Sequence, residues 1–360
     1  MTSTSHSQGQ PVAYSRPAAD EYPAPSRTFD LLVTLGGLWF IFGLYLDGWA
    51  HNQPNLVDSF FTPWHAVLYS GFLIVGACIG GMQVRNMLRG HSLTRALPRG
   101  YWPSLLGVAM FASGGGFDLV WHEIFGFEAN IDALLSPAHL WLATGALLAL
   151  TGPLRAAWDR ARTTPQRGWR DLTPAVLSLF LVFAVLTFFT VYMGPLGSPG
   201  IFVADAGVRR YFIALQAVSM VLVYSALLVG VLLLGLRAFQ LPRGTVTLLL
   251  GAGTLMMFFT QIRAARDFPA LLLVAAGAGV LGDLALARWR PSAARVRALR
   301  AFSFGLPCGF FAAYYAVLEL THGLVITEHM WLGTSVMAGI AGLFISYIFA
   351  PPLGQFPGQG

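Results

Sequence analysis

The chain has 360 residues, of which 56% are hydrophobic and only 11% are charged, whereas a soluble globular domain carries about 25% charged residues. This deficit excludes an ordinary soluble domain and fits a protein whose outer surface meets lipid, where charge is costly. The net charge of +6 does not indicate nucleic acid as a partner, because the basic residues, all of them arginine, fall almost entirely in short loops.

Apolar segments of about 20 residues, the length of helix that crosses the hydrocarbon core, follow one another along the chain. They predict an all-α fold, a polytopic transmembrane bundle of about ten helices within residues 28–350. The predicted helices are 29–49, 64–86, 101–123, 136–156, 172–193, 209–237, 244–263, 268–288, 300–321 and 329–350. Residues 1–27, rich in Ser, Pro and Ala, are expected to be a disordered cytoplasmic tail, and residues 351–360 a short C-terminal tail.

The arginines predict how the bundle is oriented. Of the 22 arginines, 18 lie in the N-terminal tail or in the loops that follow the second, fourth, sixth and eighth helices. By the positive-inside rule these loops and both termini are cytoplasmic, which places the chain in the cell inner membrane. Six of the eight histidines fall at the opposite ends of the helices. We therefore expect a functional face on the periplasmic or extracellular side.

Two predicted hairpins share one pattern of aspartate and histidine. The helix that runs outward ends in Asp-x3-His, and the helix that returns opens with Pro-x-His-x2-Leu-x2-Gly. The residues are Asp47, His51 and His65 in the first hairpin, and Asp118, His122 and His139 in the second. The aspartates and the first histidines are 71 residues apart, and the second histidines 74. This pattern favours a duplicated helical hairpin, as internal repeats are common in membrane proteins.

The spacing predicts a metal site in these hairpins. Asp and His at positions i and i+4 lie on one face of a helix, and a proline suits the first turn of the next helix. Each hairpin then presents one carboxylate and two imidazoles, a set that suits Fe(II), Zn or Cu(II). We predict a transition metal ion, copper, iron or zinc, as the cofactor. The alternative is a hydrogen-bonded network of these side chains with a purely structural role.

Further acidic residues and histidines at the outward ends are secondary candidates. A looser version of the pattern in the last two helices supplies three more candidate ligands: Glu319, His322 and His329. Glu123 and Glu328 each adjoin a histidine in the sequence. We expect these two carboxylates to act as catalytic bases or as hydrogen-bond partners of metal-binding imidazoles.

The Asp-x3-His motif, followed by a second histidine at the outer end of membrane helices, resembles the metal site in the C subunit of particulate methane and ammonia monooxygenases. The resemblance implies Asp47, His51 and His65, or Asp118, His122 and His139, as ligands, and makes copper a candidate. It covers some twenty residues in each hairpin and not the whole chain. The gaps between the two histidines, 13 and 16 residues, are longer than in that family.

These observations favour a metal-dependent membrane oxidoreductase. A zinc-dependent membrane hydrolase, with a carboxylate such as Glu123 as base, and a transporter or metal-delivery protein are the alternatives. The expected partners are the lipid bilayer and a small-molecule or lipid substrate, with no nucleic acid. Both homo- and hetero-oligomers are compatible with the sequence.

Overall fold

The computed structural model describes residues 21–53, 61–126, 131–203 and 210–351. Apart from isolated bridges, these parts of the chain contain helices and no β-strand, which confirms the all-α prediction. The helices are α1 Arg27–His51, α2 Pro63–Leu88, α3 Trp102–Phe125, α4 Ile131–Leu135, α5 Pro137–Leu150, α6 Gly152–Ala161, α7 Gly168–Phe189, α8 Arg210–Leu236, α9 Thr245–Thr260, α10 Ile262–Asp267, α11 Ala270–Trp289, α12 Val296–His322 and α13 Glu328–Phe349. Most of the two predicted tails, residues 1–20 and 352–360, lies outside the described residues.

Nine spans within the described residues are long and apolar enough to cross a membrane, with α5 and α6 counted together as Pro137–Ala161. The tenth predicted helix is the shorter α9. Its 16 residues rise only about 24 Å, and Leu248–Ala252 within it form a π-helical turn. The helix ends at Thr260 because the backbone of Gln261 leaves the helical region, and the short α10 follows. The predicted bundle of about ten helices is confirmed.

The two predicted hairpins are formed by α1 with α2 and by α3 with α5, and glycines set their close packing. A Cβ atom built on Gly71 would lie 2.4 Å from the Cα of Phe40, and one built on Gly145 would lie 2.7 Å from the backbone nitrogen of Phe111. These contacts are related by the sequence offsets of the histidine motifs, 71 and 74 residues. The paired helices therefore approach closely, in the same register in both hairpins.

A hydroxyl caps the start of each returning helix. Thr62 Oγ1 accepts a hydrogen bond from the backbone N–H of His65, and Ser136 Oγ accepts one from that of His139, both at 3.2 Å. Proline follows each cap, at the position where its missing N–H costs nothing. These caps fix both histidines in the first turn of a helix, at the end of the bundle where α1 and α3 finish.

The rest of the bundle is organised around α7, which is buried along most of its length and packs against α1, α5 and α8. Beyond it, α12 and α13 form a third hairpin, with α13 packed on α8 and α11 packed on α12 and on the start of α9. The third hairpin thus lies on the side of the bundle away from α2 and α3.

Two buried aspartates stabilise elements far from the histidines. Asp30, near the start of α1, accepts a hydrogen bond from Tyr101 Oη and pairs with Arg160 Nη1, both at 2.6 Å. Asp283, on α11, accepts hydrogen bonds from the backbone N–H groups of Val246 and Thr247 at 2.9 and 3.0 Å. The Asp283 carboxylate therefore caps the positive N-terminus of α9.

Candidate metal centre

The second hairpin gathers three candidate ligands around one buried carboxylate. Asp118 is 2% exposed, and its Oδ1 lies 3.5 Å from Nε2 of His122 and 3.4 Å from Nε2 of His139. One ligand atom from each of the three residues lies within 4.8 Å of the others. Asp118 and His122 meet because they are four residues apart on α3, and the tight packing of α5 on α3 brings His139 to them.

The outer nitrogens of these two imidazoles also have partners. Nδ1 of His122 lies 3.2 Å from the backbone carbonyl oxygen of Gly126. Because a carbonyl only accepts, this contact favours a proton on Nδ1, and Nε2 is the ring nitrogen that faces Asp118. Nδ1 of His139 lies 2.9 Å from the hydroxyl of Ser136, which can accept the same proton. Metal-binding imidazoles are usually held in this way, with the second ring N–H donated to an oxygen.

The carboxylate oxygen at the centre of this group has an unmet electrostatic requirement. Asp118 Oδ1 is inaccessible to solvent and accepts no hydrogen bond from the described residues. Burying an ionised carboxylate is unfavourable unless it is paired. A cation between the donor atoms removes this penalty, so the donor set fits a bound metal ion.

The first hairpin also brings its three predicted ligands near one another, but in a less compact group. Asp47 is 9% exposed, and its Oδ1 lies 3.5 Å from Nε2 of His65 and accepts no hydrogen bond from the described residues. His51 is oriented differently. Its Nδ1 lies 2.9 Å from the backbone carbonyl oxygen of Asp47 and 3.6 Å from Asp47 Oδ2. The side chain of His51 is 35% exposed. Among the described residues, only the second hairpin forms a compact group of three donors.

Both hairpins contribute to one cavity with a volume of about 560 Å³. Its polar end is lined by Asp47, His51, His65, Asp118 and His139. Asp47 also interacts electrostatically with both Asp118 and His139. The two carboxylates therefore face a common space, and His122 approaches Asp118 from outside the described lining of this cavity.

Three residues of this region went unnoticed in the sequence. Thr62 and Ser136 each contact the Nδ1 atom of the histidine three positions later, at 3.3 and 2.9 Å. The signal for them was the Ser/Thr-Pro pair, which is typical of a helix start. Tyr69 lines the cavity, and its ring centroid lies 6.3 Å from that of His65. Its position four residues after His65 places both on one helical face.

Glu319 and His322 have other neighbours. The Glu319 carboxylate accepts the backbone N–H of Leu324 at 2.8 Å and so closes the C-terminal end of α12. The ring of His322 packs on Phe268, with 4.6 Å between centroids. Neither residue is among the described residues that line the cavity, because α12 belongs to the third hairpin. Their role as ligands stays a prediction.

The remaining predicted residues lie at exposed helix ends. Glu123 is in the last turn of α3, and Glu328 and His329 are in the first turn of α13, all three with exposed side chains. None of them is among the described residues that line the cavity. Glu123 directly follows His122 in the chain, so its side chain leaves the helix in a different direction. The proposed roles of these three residues also stay predictions.

Comparison with known proteins does not identify this site. No protein family, curated protein or solved structure matches the chain. The resemblance to the monooxygenase subunit therefore stays at the level of the motif, with which the group of Asp118, His122 and His139 is consistent. The chain is a multi-pass membrane protein with a candidate site of one carboxylate and two imidazoles for a metal ion.

Proposed function

We propose that the chain is a metal-dependent membrane oxidoreductase in which Asp118, His122 and His139 bind one transition metal ion. The observation that carries the proposal is the distance of 3.4–3.5 Å from Asp118 Oδ1 to two imidazole Nε2 atoms. Two ligands at about 2.1 Å from a tetrahedrally coordinated ion lie about 3.4 Å apart. The carboxylate oxygen and each imidazole nitrogen thus have a separation that fits a shared ion.

The type of donor favours redox chemistry. One carboxylate and two imidazoles leave coordination positions open, an arrangement typical of Fe(II) enzymes that use oxygen and compatible with Cu(II). His139 and Asp118 line the cavity, so an open position has space for a substrate. Zinc in the same place would instead favour a hydrolase, because zinc has no redox chemistry. The identity of the bound metal therefore separates the two functions.

A matched pair of variants tests the site. His51→Ala and His122→Ala change equivalent positions of the two motifs, 71 residues apart. Each protein is purified in mild detergent, and its metal content is measured by elemental mass spectrometry. We expect close to one copper or iron ion in the wild type, the same content in His51→Ala and a loss in His122→Ala. The reason is that His51 directs Nδ1 at its own helix.

Three outcomes contradict the proposal in different ways. Absence of metal from the wild type, even after reconstitution with copper, iron and zinc, favours the structural hydrogen-bond network. Zinc alone favours the hydrolase. Equal loss of metal from both variants means that the ion is bound by the two hairpins together. Electron paramagnetic resonance before and after addition of a reductant supplies the redox readout, and equal elution volumes control for folding of the variants.

We also propose that the site faces the periplasm or exterior of a bacterial inner membrane, on the basis of the arginine distribution. A single cysteine tests this orientation in a background with Cys78→Ser and Cys308→Ser. Glu123→Cys, beside the site, is expected to react with an impermeant maleimide on spheroplasts. Arg162→Cys, in an exposed loop beyond α6, is the matched control and is expected to react only after permeabilisation. The reverse result places the site on the cytoplasmic side.

A further inference from the structure

The cavity reaches well below the carboxylates into the bundle. Phe40 and Phe111 both line it, and each lies seven residues before the aspartate of its own helix. Seven residues of α-helix rise about 10 Å. The two rings meet edge to face with 4.9 Å between their centroids. They therefore mark the inner end of the cavity, two helical turns from Asp47 and Asp118.

The walls between the aromatic rings and the histidines are mostly apolar, with Tyr69 as the polar exception among the described lining residues of the returning helices. On the two returning helices they are formed by Leu68, Leu142, Ala143 and Ala146. The two alanines lie four and seven residues after His139, on the same face of α5, and their small side chains leave the space open. The end of α7 and the turn after it contribute further apolar groups, among them Phe188 and Val191. An apolar body gains free energy by leaving water for such a surface.

The acidic groups of the described lining lie together at the polar end of the cavity. They are the carboxylates of Asp47 and Asp118, and the described lining contains no arginine. A divalent metal ion bound at Asp118 would be balanced by these two carboxylates, so the loaded site offers an anionic ligand no net positive charge, in a place where desolvation of the ligand is also costly. The lining discriminates against anions and accepts uncharged molecules.

The volume of the cavity has room for an organic molecule of several carbon atoms. The cavity measures about 560 Å³, within the range of about 300–1,000 Å³ found for pockets that bind organic ligands. A water molecule takes about 30 Å³ in the liquid, and methane and ammonia are of comparable size. A site for such small substrates alone has no need of this space.

We propose that the cavity binds a small uncharged organic molecule whose apolar body fills the space above Phe40 and Phe111 and whose reactive end faces the imidazoles. This inference rests on the proposed function and names the substrate class of that site. Either a free molecule or the acyl chain of a lipid could supply the apolar body that fills this space. We assign the free molecule, because the aromatic rings close the inner end.

Thermal unfolding of the purified protein with added ligands tests the inference. The probes are butanol, hexanol, octanol and decanol, together with the carboxylates of the same chain lengths. A ligand that binds only the folded protein raises the unfolding temperature. We expect a rise of a few degrees with the alcohols and none with the carboxylates. For a free molecule the effect stops growing once the chain fills the cavity, whereas continued growth through decanol favours a protruding acyl chain and overturns the assignment.

Two variants locate the binding on α5. Ala146→Phe fills the inner part of the cavity and is expected to abolish the shift. Leu140→Phe adds a ring at a position of the same helix that is 45% exposed and outside the described lining, and is expected to keep the shift. An equal shift in both variants, or none in any protein, overturns the inference. If Ala146→Phe fails to fold, Ala143→Leu replaces it.

Metal content separates this test from the test of the proposed function. Ala146 lies seven residues beyond His139 and contributes no ligand, so Ala146→Phe is expected to keep its metal. A variant that binds metal and no longer responds to alcohols supports the inference. If the wild-type protein takes up no metal but still binds the alcohols, the metal proposal is contradicted and the inference about the cavity is not.

Discussion

The hydroxyl of Ser136 allows a sharp test of how the metal centre is held. Its Oγ accepts the backbone N–H of His139 at 3.2 Å and lies 2.9 Å from Nδ1 of the same residue. Ser136→Ala removes both contacts. Loss of a partner that orients a metal-binding imidazole weakens metal affinity by about 10–100-fold, which corresponds to about 1.4–2.7 kcal/mol. Loss of the helix cap costs about 1 kcal/mol of stability.

The first hairpin supplies the control for Ser136→Ala. Thr62 makes the same two contacts with His65, at 3.2 and 3.3 Å. Thr62→Ala is therefore expected to lower stability by a similar amount, about 1 kcal/mol. It is expected to leave metal affinity unchanged, because His65 is outside the compact group. Ser136→Thr keeps the hydroxyl and is expected to behave like the wild type in both respects.

Two measurements separate the contributions of Ser136. Competition with a chromophoric chelator gives the metal affinity, and chemical unfolding of the metal-free protein gives the stability. If Ser136→Ala binds metal as tightly as the wild type, Ser136 does not orient a ligand and acts only as a cap. If Thr62→Ala weakens binding to the same extent, the ion is shared by the two hairpins.

Other perturbations probe the bundle and the site. Arg160→Ala is expected to destabilise the protein by about 3–5 kcal/mol, since it leaves the buried carboxylate of Asp30 without its cationic partner and with only the hydrogen bond from Tyr101. Asp283→Ala removes the charged cap of α9 and is expected to cost about 2 kcal/mol in chemical unfolding. Gly71→Val is expected to cost at least about 1–3 kcal/mol by overpacking against the facing helix. Metal affinity is expected to fall as pH is lowered, because protons compete with the metal for the imidazoles.

Each of these expectations has its own control. Gly80→Ala is the control for Gly71→Val, because it places a methyl group where nothing lies within 4 Å. If Gly71→Val is as stable as Gly80→Ala, α1 and α2 do not pack closely at Gly71. Asp30→Asn with Arg160→Leu removes both buried charges and should recover part of the loss from Arg160→Ala. An unfolding midpoint unchanged in Asp283→Ala would show that α9 needs no cap. Metal affinity independent of pH would exclude imidazole ligands.

The sequence by itself determined the fold class and most helix boundaries. The returning helix of the first hairpin was predicted at residue 64 and begins at Pro63, because an apolar run of spanning length leaves few alternatives and a proline marks the first turn. Larger errors occurred for the helix predicted at 172–193, which is Gly168–Phe189, and at the end of the span predicted at 136–156, which continues to Ala161. The end of α9 was predicted at residue 263, three residues beyond Thr260, where the backbone leaves the helical region. A turn set by backbone conformation leaves little trace in hydropathy.

The sequence also predicted the residues of the candidate site, because periodicity fixes which side chains share a helical face. Asp118 and His122 are four residues apart, so their proximity follows from one helix alone. The arrival of His139 at the same carboxylate depends on how deeply α5 packs against α3. Gly107 and Gly145 set that packing through close backbone contacts, which a pattern of single residues does not specify.

Only the tertiary structure distinguishes the two hairpins. Their motifs share the same spacing of Asp, His, Pro, Leu and Gly. Even so, His51 directs Nδ1 at the carbonyl of Asp47, whereas Nε2 of His122 faces Asp118. Tertiary packing also placed the histidines of α12 and α13 away from the cavity and brought Asp283 to the start of α9. Periodicity governs contacts within a helix, but rotamers and the packing of separate helices decide which of several similar residues converge on one point.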